Sequence, residues 1–286
     1  MKYDTVKSRS WQGDTGGGNL GQRALIFFFR WWNLRLGYAI LAVVVPFYML
    51  FARKGYLAIY NYFKHHFDCS PWQSFVKTYQ NHFVFGKVIL DRFAVFSGKK
   101  NLFDVEIIGN EHYERLSNGE KGFIIAGSHT GNFEIIGYLL NSTKKRINAL
   151  IYAGESKTVQ NNRYKIMQRN NITLIPVLND MSHLFSINSA LQNGEIVSMP
   201  CDRNHGSTKS MEIDFMSGKA NFPVGAFALA RSFNVEILAI FAIKISTKQY
   251  KVFVNPVCDI KSYVKELENI VKEYPLQWFN FYDFWK

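Results

Sequence analysis

The order of apolar and polar residues divides the chain into a polar start, a strongly apolar segment and a long alternating remainder. Residues 1–22 are polar and rich in glycine, so they lack the apolar side chains that a packed core requires. Residues 24–51 are the most apolar part of the chain. Aromatic residues recur through 56–98, where Pro71 is the only strong helix breaker, and this pattern predicts mostly helix.

The pattern changes after residue 103, where short apolar runs alternate with stretches of helical periodicity. Strands are predicted at 105–108, 123–126, 147–152, 172–177, 195–200, 211–215, 235–244 and 249–256. Helices are predicted at 132–141, 157–169, 181–192, 224–233 and 260–272. Strands that alternate with helices are typical of βαβ units. The sequence therefore predicts an α/β fold with a mixed, largely parallel central sheet flanked by helices.

The apolar segment has the features of a helix at a membrane surface. Its uninterrupted part, from Leu36 to Phe51, has 16 residues. As a helix it would extend about 24 Å, which is short of the roughly 30 Å hydrocarbon core. Pro46 would kink it, and aromatic residues bracket it with arginines beside them, as is typical of the interface. A helix that lies in the interface, or a tilted and shallow insertion, is predicted rather than a clean span, and a buried amphipathic helix of a soluble domain is the alternative.

Together these patterns predict three parts of the chain. They are a polar glycine-rich arm at 1–22, an apolar membrane-associating helix at 23–55 and an α/β domain at 56–286. A chain of 286 residues is long enough for one large domain with such an appendage.

The charge balance indicates an acidic partner. Lysine and arginine number 34 against 22 acidic residues, so the net charge is +12. Nucleic acid, anionic lipid and acidic proteins all attract such a chain. The basic residues are mostly scattered and no nucleic-acid-binding motif appears, so no nucleic acid is expected as a partner. Small clusters such as residues 144–146 are expected to dock an anionic membrane surface or an acidic protein.

The cysteines give no sign of a disulfide framework or a metal site. Cys69, Cys201 and Cys258 lie far apart, and neither a CxxC pair nor a zinc-type spacing occurs. A reduced, cytosolic setting is the simplest interpretation. No secretory signal is apparent, because the first apolar run begins late and lacks a small-residue cleavage site.

A histidine and a glutamate stand where a predicted strand turns into a predicted helix, in GSHTGNFE at 127–134. The strand end delivers His129, Asn132 suits the helix start, and Glu134 falls in the first helical turn. The carboxylate could then fold back onto the imidazole, which would leave the other ring nitrogen as a general base. A capped helix with an incidental histidine is the alternative, since a helix dipole favours glutamate there anyway.

A second polar group follows another predicted strand, in MPCDRNHG at 199–206. Asp202 and Arg203 should therefore reach the same edge of the sheet as His129. Arg203 could bind a phosphate through its two-pronged guanidinium, although a plain ion pair within the loop is equally compatible with the sequence. Cys201 is not expected to act as a nucleophile, because it would need a base of its own.

Four motifs carry a resemblance to a known family. They are GSHTGNFE at 127–134, DRNHG at 202–206, FMSGKANFPVGAFALAR at 215–231 and PLQWFNFYDFW at 275–285. In this order they resemble the bacterial lysophospholipid acyltransferase superfamily, in particular its lipid A biosynthesis (late) acyltransferase branch, over roughly 24–286. The glycine-rich arm and the pair Asp91–Arg92 resemble a sub-branch found with aryl polyene and flexirubin-type pathways. Asn204 departs from the branch, which often has a second acidic residue there.

The resemblance implies transfer of a fatty acyl chain from an acyl carrier protein or coenzyme A thioester to a hydroxyl or amine of a membrane lipid. His129 would be the general base and Glu134 its partner, with no cofactor or metal. Substrate contacts are expected from Asn132, Arg169, Asp202 and Arg203. Backbone N–H groups near Gly131 or in 203–206 are expected to stabilise the oxyanion. The resemblance also implies a bacterial inner-membrane location, with the catalytic domain facing the cytoplasm.

Two other functions compete with this interpretation. The first is a non-catalytic membrane-associated module that binds lipid with the same fold, against which the complete histidine–glutamate pair argues. The second is an ordinary glycerolipid acyltransferase, which would usually have a Gly-Thr-Arg type motif for the glycerol phosphate, and none is present. The sequence does not name the acceptor, the acyl chain length or the donor carrier.

Overall fold

The computed structural model describes residues 34–96, 102–136, 144–152, 171–177, 182–203 and 209–285. The glycine-rich arm at 1–22, the start of the apolar segment and the helix predicted at 157–169 lie outside the described residues.

Three helices precede the sheet. They are α1 (Leu34–Phe51), α2 (Arg53–His66) and α3 (Pro71–Phe96). Helix α3 begins at Pro71 because proline suits a first helical position, where its missing N–H costs nothing. Just before it, Ser70 and Gln73 exchange reciprocal backbone-to-side-chain hydrogen bonds, which satisfy the first N–H groups of the helix. The helical prediction for 56–98 is thereby confirmed.

Nine strands and four further helices are described after α3. The strands are β1 (Asp104–Ile108), β2 (Phe123–Gly127), β3 (Ile147–Tyr152), β4 (Ile172–Val177), β5 (Ile196–Pro200), β6 (Ser210–Phe215), β7 (Gly218–Pro223), β8 (Ile237–Lys244) and β9 (Gln249–Val257). The helices are α4 (Asn110–Asn118), α5 (His183–Gln192), α6 (Gly225–Phe233) and α7 (Ile260–Glu273). Single 3₁₀ turns occupy Phe133–Ile135 and Pro275–Gln277.

Seven of these strands form one sheet in the order β1-β9-β8-β2-β5-β3-β4. Strands β8, β2, β5, β3 and β4 run parallel, whereas β9 is antiparallel to β8 and parallel to β1. Strands β6 and β7 form a separate antiparallel hairpin. The predicted α/β fold with a mixed, largely parallel sheet is confirmed.

The centre of the sheet is covered on both faces. Every residue of β2 and of β8 is buried, which explains why these strands are continuous apolar runs without alternation. Helices α2, α6 and α7 contribute to the core on one face, around Phe63 and Leu267. Tyr113 of α4 belongs to the core on the other face. The ends of the central strands are therefore held firmly.

The helix predicted at 132–141 begins differently in the structure. The chain forms a 3₁₀ turn at Phe133–Ile135, and the described residues break off after Ile136. The N–H of Asn132, just before this turn, donates to the carbonyl of Ala242 in β8. This contact with the sheet sets the direction in which Glu134 leaves the turn.

A buried polar cluster joins the N-terminal helices to the sheet. The carboxylate of Asp91 in α3 accepts hydrogen bonds from the hydroxyls of Tyr38 in α1 and Tyr250 in β9, and from Lys244 Nζ in β8 at 2.5 Å. Asp91 and Lys244 are both buried. Removing either charge would leave the other buried and unpaired, which proteins tolerate poorly. The cluster therefore fixes α1 and α3 against the strands that lead to the site.

Candidate active site

The site forms where two neighbouring parallel strands end. Strand β2 pairs with β5 in a register that places Gly127 beside Pro200. His129 follows the first of these residues by two positions, and Asp202 follows the second by two positions. Ligands gather at this edge of α/β sheets. The prediction that both residues reach the same edge is correct in this structure, because they are in direct contact.

His129 and Asp202 are held together by two hydrogen bonds. Nδ1 of the imidazole lies 2.8 Å from Oδ1 of Asp202, and the backbone N–H of His129 donates to Oδ2 at 2.8 Å. Asp202 is fully buried, whereas the side chain of His129 is 18% exposed. An ionised carboxylate only accepts, so Nδ1 carries the proton and Nε2 carries the lone pair. Nε2 has no hydrogen bond to any described residue.

The backbone around His129 is clamped on both sides. The N–H of Gly131 donates to the carbonyl of Gln277 at 2.7 Å, and the N–H of Phe279 donates to the carbonyl of His129 at 2.9 Å. Gly131 has a φ of +53°, and a Cβ there would lie 2.0 Å from the carbonyl oxygen of Ala242. Only glycine fits this position. Because its N–H is already bonded, Gly131 does not supply the expected oxyanion donor.

The electrostatic environment keeps the imidazole neutral beside an ionised carboxylate. Burial lowers the pKa of His129 below its usual value of 6.5, and the charge of Arg203 lowers it further, against the opposing charges of Asp202 and Glu134. Burial alone would raise the pKa of Asp202, but the attraction and hydrogen bonds of His129 outweigh it and lower this pKa to about 2. A neutral histidine with its lone pair exposed is suited to accept a proton.

Glu134 does not make the expected contact with the imidazole. Its carboxylate forms an ion pair with Arg92 of α3, and both side chains are mostly buried. Phe133 lies between the two motif residues in sequence, and its ring packs edge-on against His129 at 5.1 Å. The 3₁₀ turn therefore directs Glu134 toward α3. Its charge still acts on the imidazole at a distance, because it raises the pKa of His129.

Two of the residues expected to contact substrate, Asn132 and Arg203, form hydrogen bonds within the protein. Asn132 is buried, and its side-chain amide donates to the carbonyl of Val88 and the hydroxyl of Tyr250, both at 3.2 Å. Arg203 donates from Nη2 to the carbonyl of Phe279. In these conformations Asn132 braces the loop and Arg203 braces the C-terminal segment. Asp202, the third, is buried against His129, and Arg169 lies outside the described residues.

One lysine of the basic cluster at residues 144–146 is used internally. Lys145 donates to the carbonyls of Lys121 at 2.8 Å and Gly194 at 2.6 Å, and Lys144 bonds to a side chain of α4. A lysine bound in this way to backbone carbonyls is not available to dock a membrane or an acidic protein. Lys144 and Arg146 are exposed, so the expectation that this cluster forms a docking surface stays a prediction for those two residues.

Cys201, which stands next to Asp202 in sequence, is unsuited to nucleophilic chemistry. It is buried, and its Sγ lies 3.5 Å from the carbonyl oxygen of Met199. Burial, together with the charge of Asp202, raises the pKa of its thiol far above the usual range. Across the part of the chain that the structure describes, histidine, cysteine and acidic residues form no cluster of three or more with the spacing of a metal site.

If His129 acts as a general base, the reaction rate is expected to depend on a single group whose pKa lies below the usual 6.5. The neutral form of His129 would then be the active one, and because its pKa is lowered from 6.5, more than half of the plateau rate should remain at pH 6.5. Below the lowered pKa, kcat/KM should fall about tenfold per pH unit as the imidazole becomes protonated. Initial rates in overlapping buffers measure this limb. A midpoint above 6.5 would contradict the buried, neutral histidine described here.

One of the comparisons with known proteins identifies the family of this chain. The chain is similar to the crystal structure of the 1-acyl-sn-glycerophosphate (LPA) acyltransferase PlsC from Thermotoga maritima, with 14% identity, 84% of this chain and 99% of that chain covered, and a TM-score of 0.39. A search of curated protein sequences found no match. The model of the bacterial lipid A biosynthesis acyltransferase family matches residues 79–286, well over half of the chain. The resemblance inferred from the four motifs is thereby confirmed: the chain belongs to the bacterial lipid A biosynthesis acyltransferase family and is an acyltransferase that acts on lipids.

Proposed function

We propose that this protein moves a fatty acyl chain from an acyl carrier protein or acyl-CoA thioester to a hydroxyl or amine of a membrane glycolipid, such as a lipid A precursor. The observation that carries the proposal is the pair formed by His129 and the buried Asp202, with Nε2 of the imidazole unbonded among the described residues. A non-catalytic lipid-binding module would have no need for this pair.

The proposed reaction is a direct transfer with His129 as the general base. Nε2 removes the proton from the acceptor hydroxyl as the hydroxyl oxygen attacks the thioester carbonyl carbon. That carbon becomes tetrahedral, and the former carbonyl oxygen becomes an oxyanion. When the oxyanion collapses, the new ester C–O bond remains and the C–S bond breaks. The imidazolium then returns its proton to the departing thiolate. Atoms and charges balance without a metal or a covalent enzyme intermediate.

The two acidic residues have different roles in this mechanism. Asp202 is a positioning residue that holds the Nδ1–H tautomer by contact and balances the imidazolium that forms. Glu134, bonded to Arg92, contributes negative charge near the imidazole without touching it. Its ion pair also ties the loop to α3. Asp202 therefore acts on His129 through a hydrogen bond, and Glu134 acts on it only through the electrostatic effect of its charge.

We infer that the acceptor is reached from the cytoplasmic leaflet of a bacterial inner membrane. Helix α1 has 18 residues and a mean hydropathy of 1.9, and most of its surface is not covered by the protein. It packs antiparallel to α3, since Tyr38 meets Asp91 whereas Ala42 meets Tyr79. The start of α3 therefore lies beside the end of α1. Exposed apolar side chains collect there: Phe47, Leu50, Phe51, Trp72 and Phe75.

The charges beside this apolar face favour an anionic membrane. Arg53 and Lys54 are exposed and directly follow the apolar end of α1. Basic residues next to a partly inserted apolar face attract acidic headgroups. By length and composition, the 18 described residues of α1 are sufficient to cross a membrane, and the same apolar face would also serve a helix that lies in the interface.

Replacing both Phe47 and Phe51 with serine is expected to weaken vesicle binding at least tenfold without destabilising the fold. Each phenylalanine would contribute about 1.5–3 kcal/mol if fully inserted, and Phe51 is already 87% exposed in the protein. Co-sedimentation with pure phosphatidylcholine vesicles measures the apolar contribution to membrane binding. The additional binding to vesicles that contain anionic phosphatidylglycerol measures the contribution of charge.

Phe185 provides a matched control for this test. It is 78% exposed but belongs to α5, which packs beside β4 and β5 at the end of the sheet opposite to β1 and β9. Phe185→Ser should leave vesicle binding unchanged. Equal losses in both variants would mean that general surface apolarity, rather than the α1 face, binds the membrane.

The proposed activity is tested by the lipids of the native host. Mass spectrometry of total lipid extracts compares the wild-type strain, a deletion strain and a strain in which the gene is restored. One glycolipid species should lose the mass of one acyl chain on deletion and regain it on restoration, and the mass difference identifies the chain. An unchanged glycolipid profile with altered glycerophospholipids would instead indicate a glycerolipid acceptor.

A further inference from the structure

The C-terminal segment after α7 lies along the loop at 128–132, which follows β2, in the manner of an added antiparallel strand. The N–H of Gly131 donates to the carbonyl of Gln277 at 2.7 Å, and the N–H of Phe279 donates to the carbonyl of His129 at 2.9 Å. An isolated antiparallel bridge joins the two segments between these bonds. The place of the His129 backbone therefore depends on what holds the C-terminal segment.

The side chain of Gln277 fastens the C-terminal segment to the end of β8. Its Oε1 accepts the backbone N–H of Lys244 at 2.9 Å, and its Nε2 donates to the carbonyl of the same residue at 2.8 Å. Lys244 is the last residue of β8, and Gln277 is buried. The side-chain amide thereby satisfies the two backbone groups that a neighbouring strand would otherwise bond. Gln277 connects the sheet to the loop directly, because its own carbonyl bonds Gly131.

A second buried amide holds the same segment from the side of α3. Nδ2 of Asn81 donates to the carbonyls of Leu276 and Trp278, both at 3.1 Å. These two carbonyls stand on either side of Gln277 in the chain, and Asn81 is buried. Breaking such bonds leaves buried polar groups unpaired, so they hold the chain in one geometry. The segment is thus fastened by the sheet on one side and by α3 on the other.

A general base works only when its lone pair is aligned with the proton that it removes. Asp202 sets the tautomer of His129, but the position from which the imidazole extends is set by the backbone of the loop. A displacement of about 1 Å can cost about a hundredfold in rate. We propose that Gln277 and Asn81 are positioning residues, which hold the general base in place through the C-terminal segment. This proposal rests on the proposed function and adds two residues to its mechanism.

Gln277→Met tests this role through the kinetics of the full chain. Methionine has a similar length but lacks the amide, and the backbone carbonyl at this position stays available to Gly131. We expect kcat to fall about 10- to 100-fold while the KM values of donor and acceptor stay unchanged, since the base is displaced and no substrate contact is removed. Asn81→Leu, which removes the two bonds from α3, should have the same effect.

Asn148→Leu is the matched control for a general loss of stability. Asn148 is also a buried amide, and its Nδ2 donates to the carbonyl of Ile196 at 3.2 Å. It lies near the start of β3, at the opposite end of the parallel strands from His129. Because each of the three replacements leaves buried backbone groups unpaired, each should lower the melting temperature by a few degrees. Only Gln277→Met and Asn81→Leu should also lower kcat.

Hydrogen–deuterium exchange followed by mass spectrometry gives a readout that lost stability alone would not produce. Peptides that cover 127–134 should exchange at least about threefold faster in Gln277→Met and Asn81→Leu than in the wild type, because the loop opens locally. In Asn148→Leu the same peptides should exchange as in the wild type. The measurement needs no substrate, so it is independent of the acyl-transfer assay.

Each outcome decides between the two proposals. A normal kcat in folded Gln277→Met, unchanged exchange at 127–134, or equal losses of kcat in Gln277→Met and Asn148→Leu would overturn the positioning role. If Gln277→Met does not fold, Asn81→Leu decides the question by the same two measurements. A wild-type protein that transfers no acyl chain would overturn the proposed function, whereas the exchange rates would still show whether the two amides hold the loop.

Discussion

Replacing His129 with alanine is expected to lower the acyl-transfer rate by about 10³- to 10⁴-fold while the fold stays intact. A general base contributes about 10²- to 10⁴-fold in enzymes, and alanine also removes the charge that forms on the imidazole in the transition state. The neighbouring backbone bonds of Gly131 and Phe279 do not involve the imidazole and should hold the loop in place. Initial rates with purified protein measure the loss, and circular dichroism checks the fold.

His112→Ala is the control for this replacement. His112 belongs to α4, is partly exposed and contacts only the neighbouring Glu111 at 3.7 Å among the described ion pairs. The change should leave the rate within about twofold, as expected for a surface substitution. A deletion strain carrying the His129→Ala gene should keep the lipid profile of the deletion. Restoration of the normal profile by that gene would show that another group acts as the base.

Replacing Asp202 with asparagine is expected to have the second largest effect, a loss of about 10³-fold in kcat with little change in KM. Asparagine keeps the shape of the side chain and can still accept the backbone N–H of His129. Its amide group, however, does not hold Nδ1–H as an ionised carboxylate does, so the tautomer with a proton on Nε2 becomes available. In that tautomer the nitrogen that faces the substrate is no longer a base.

Histidine NMR gives this prediction a readout that a purely structural role would not affect. The negative charge of Asp202 raises the pKa of His129, so its removal should lower that pKa further and move the acidic limb of the rate profile to lower pH. Asp214→Asn, on the exposed side of the hairpin strand β6, is the matched control and should change neither quantity. A normal rate for Asp202→Asn with an unshifted histidine signal would show that Asp202 does not position the base.

Local sequence patterns were sufficient to predict where the site forms. The run at 123–126 is continuously apolar and the run at 195–200 is largely apolar, and both form strands of the central sheet. His129 and Asp202 each follow the end of their strand by two residues, so both lie at the carboxyl end of the parallel strands, where α/β folds bind ligands. The helices α5, α6 and α7 were predicted within a few residues for the same reason, since periodicity reports which face of each segment is buried.

Which carboxylate bonds to the imidazole of His129 depends on tertiary structure. The spacing between His129 and Glu134 permitted a contact, but the left-handed Gly131 and the bond from Asn132 to Ala242 turned Glu134 toward Arg92. Arg92 stands 42 residues earlier in the chain, and no local pattern connects the two residues. Asp202 forms the hydrogen bond to the imidazole of His129 because β5, which precedes Asp202, lies beside β2 in the sheet.

The sequence by itself determined the class of fold, the family and the edge of the sheet that bears the chemistry. Tertiary structure alone decided that Asn132 and Arg203 turn inward and that Lys145 binds backbone carbonyls. The reason is physical. Apolar periodicity records the burial of one segment at a time, whereas the choice of a hydrogen-bond partner depends on which distant segments the sheet order and helix packing bring together.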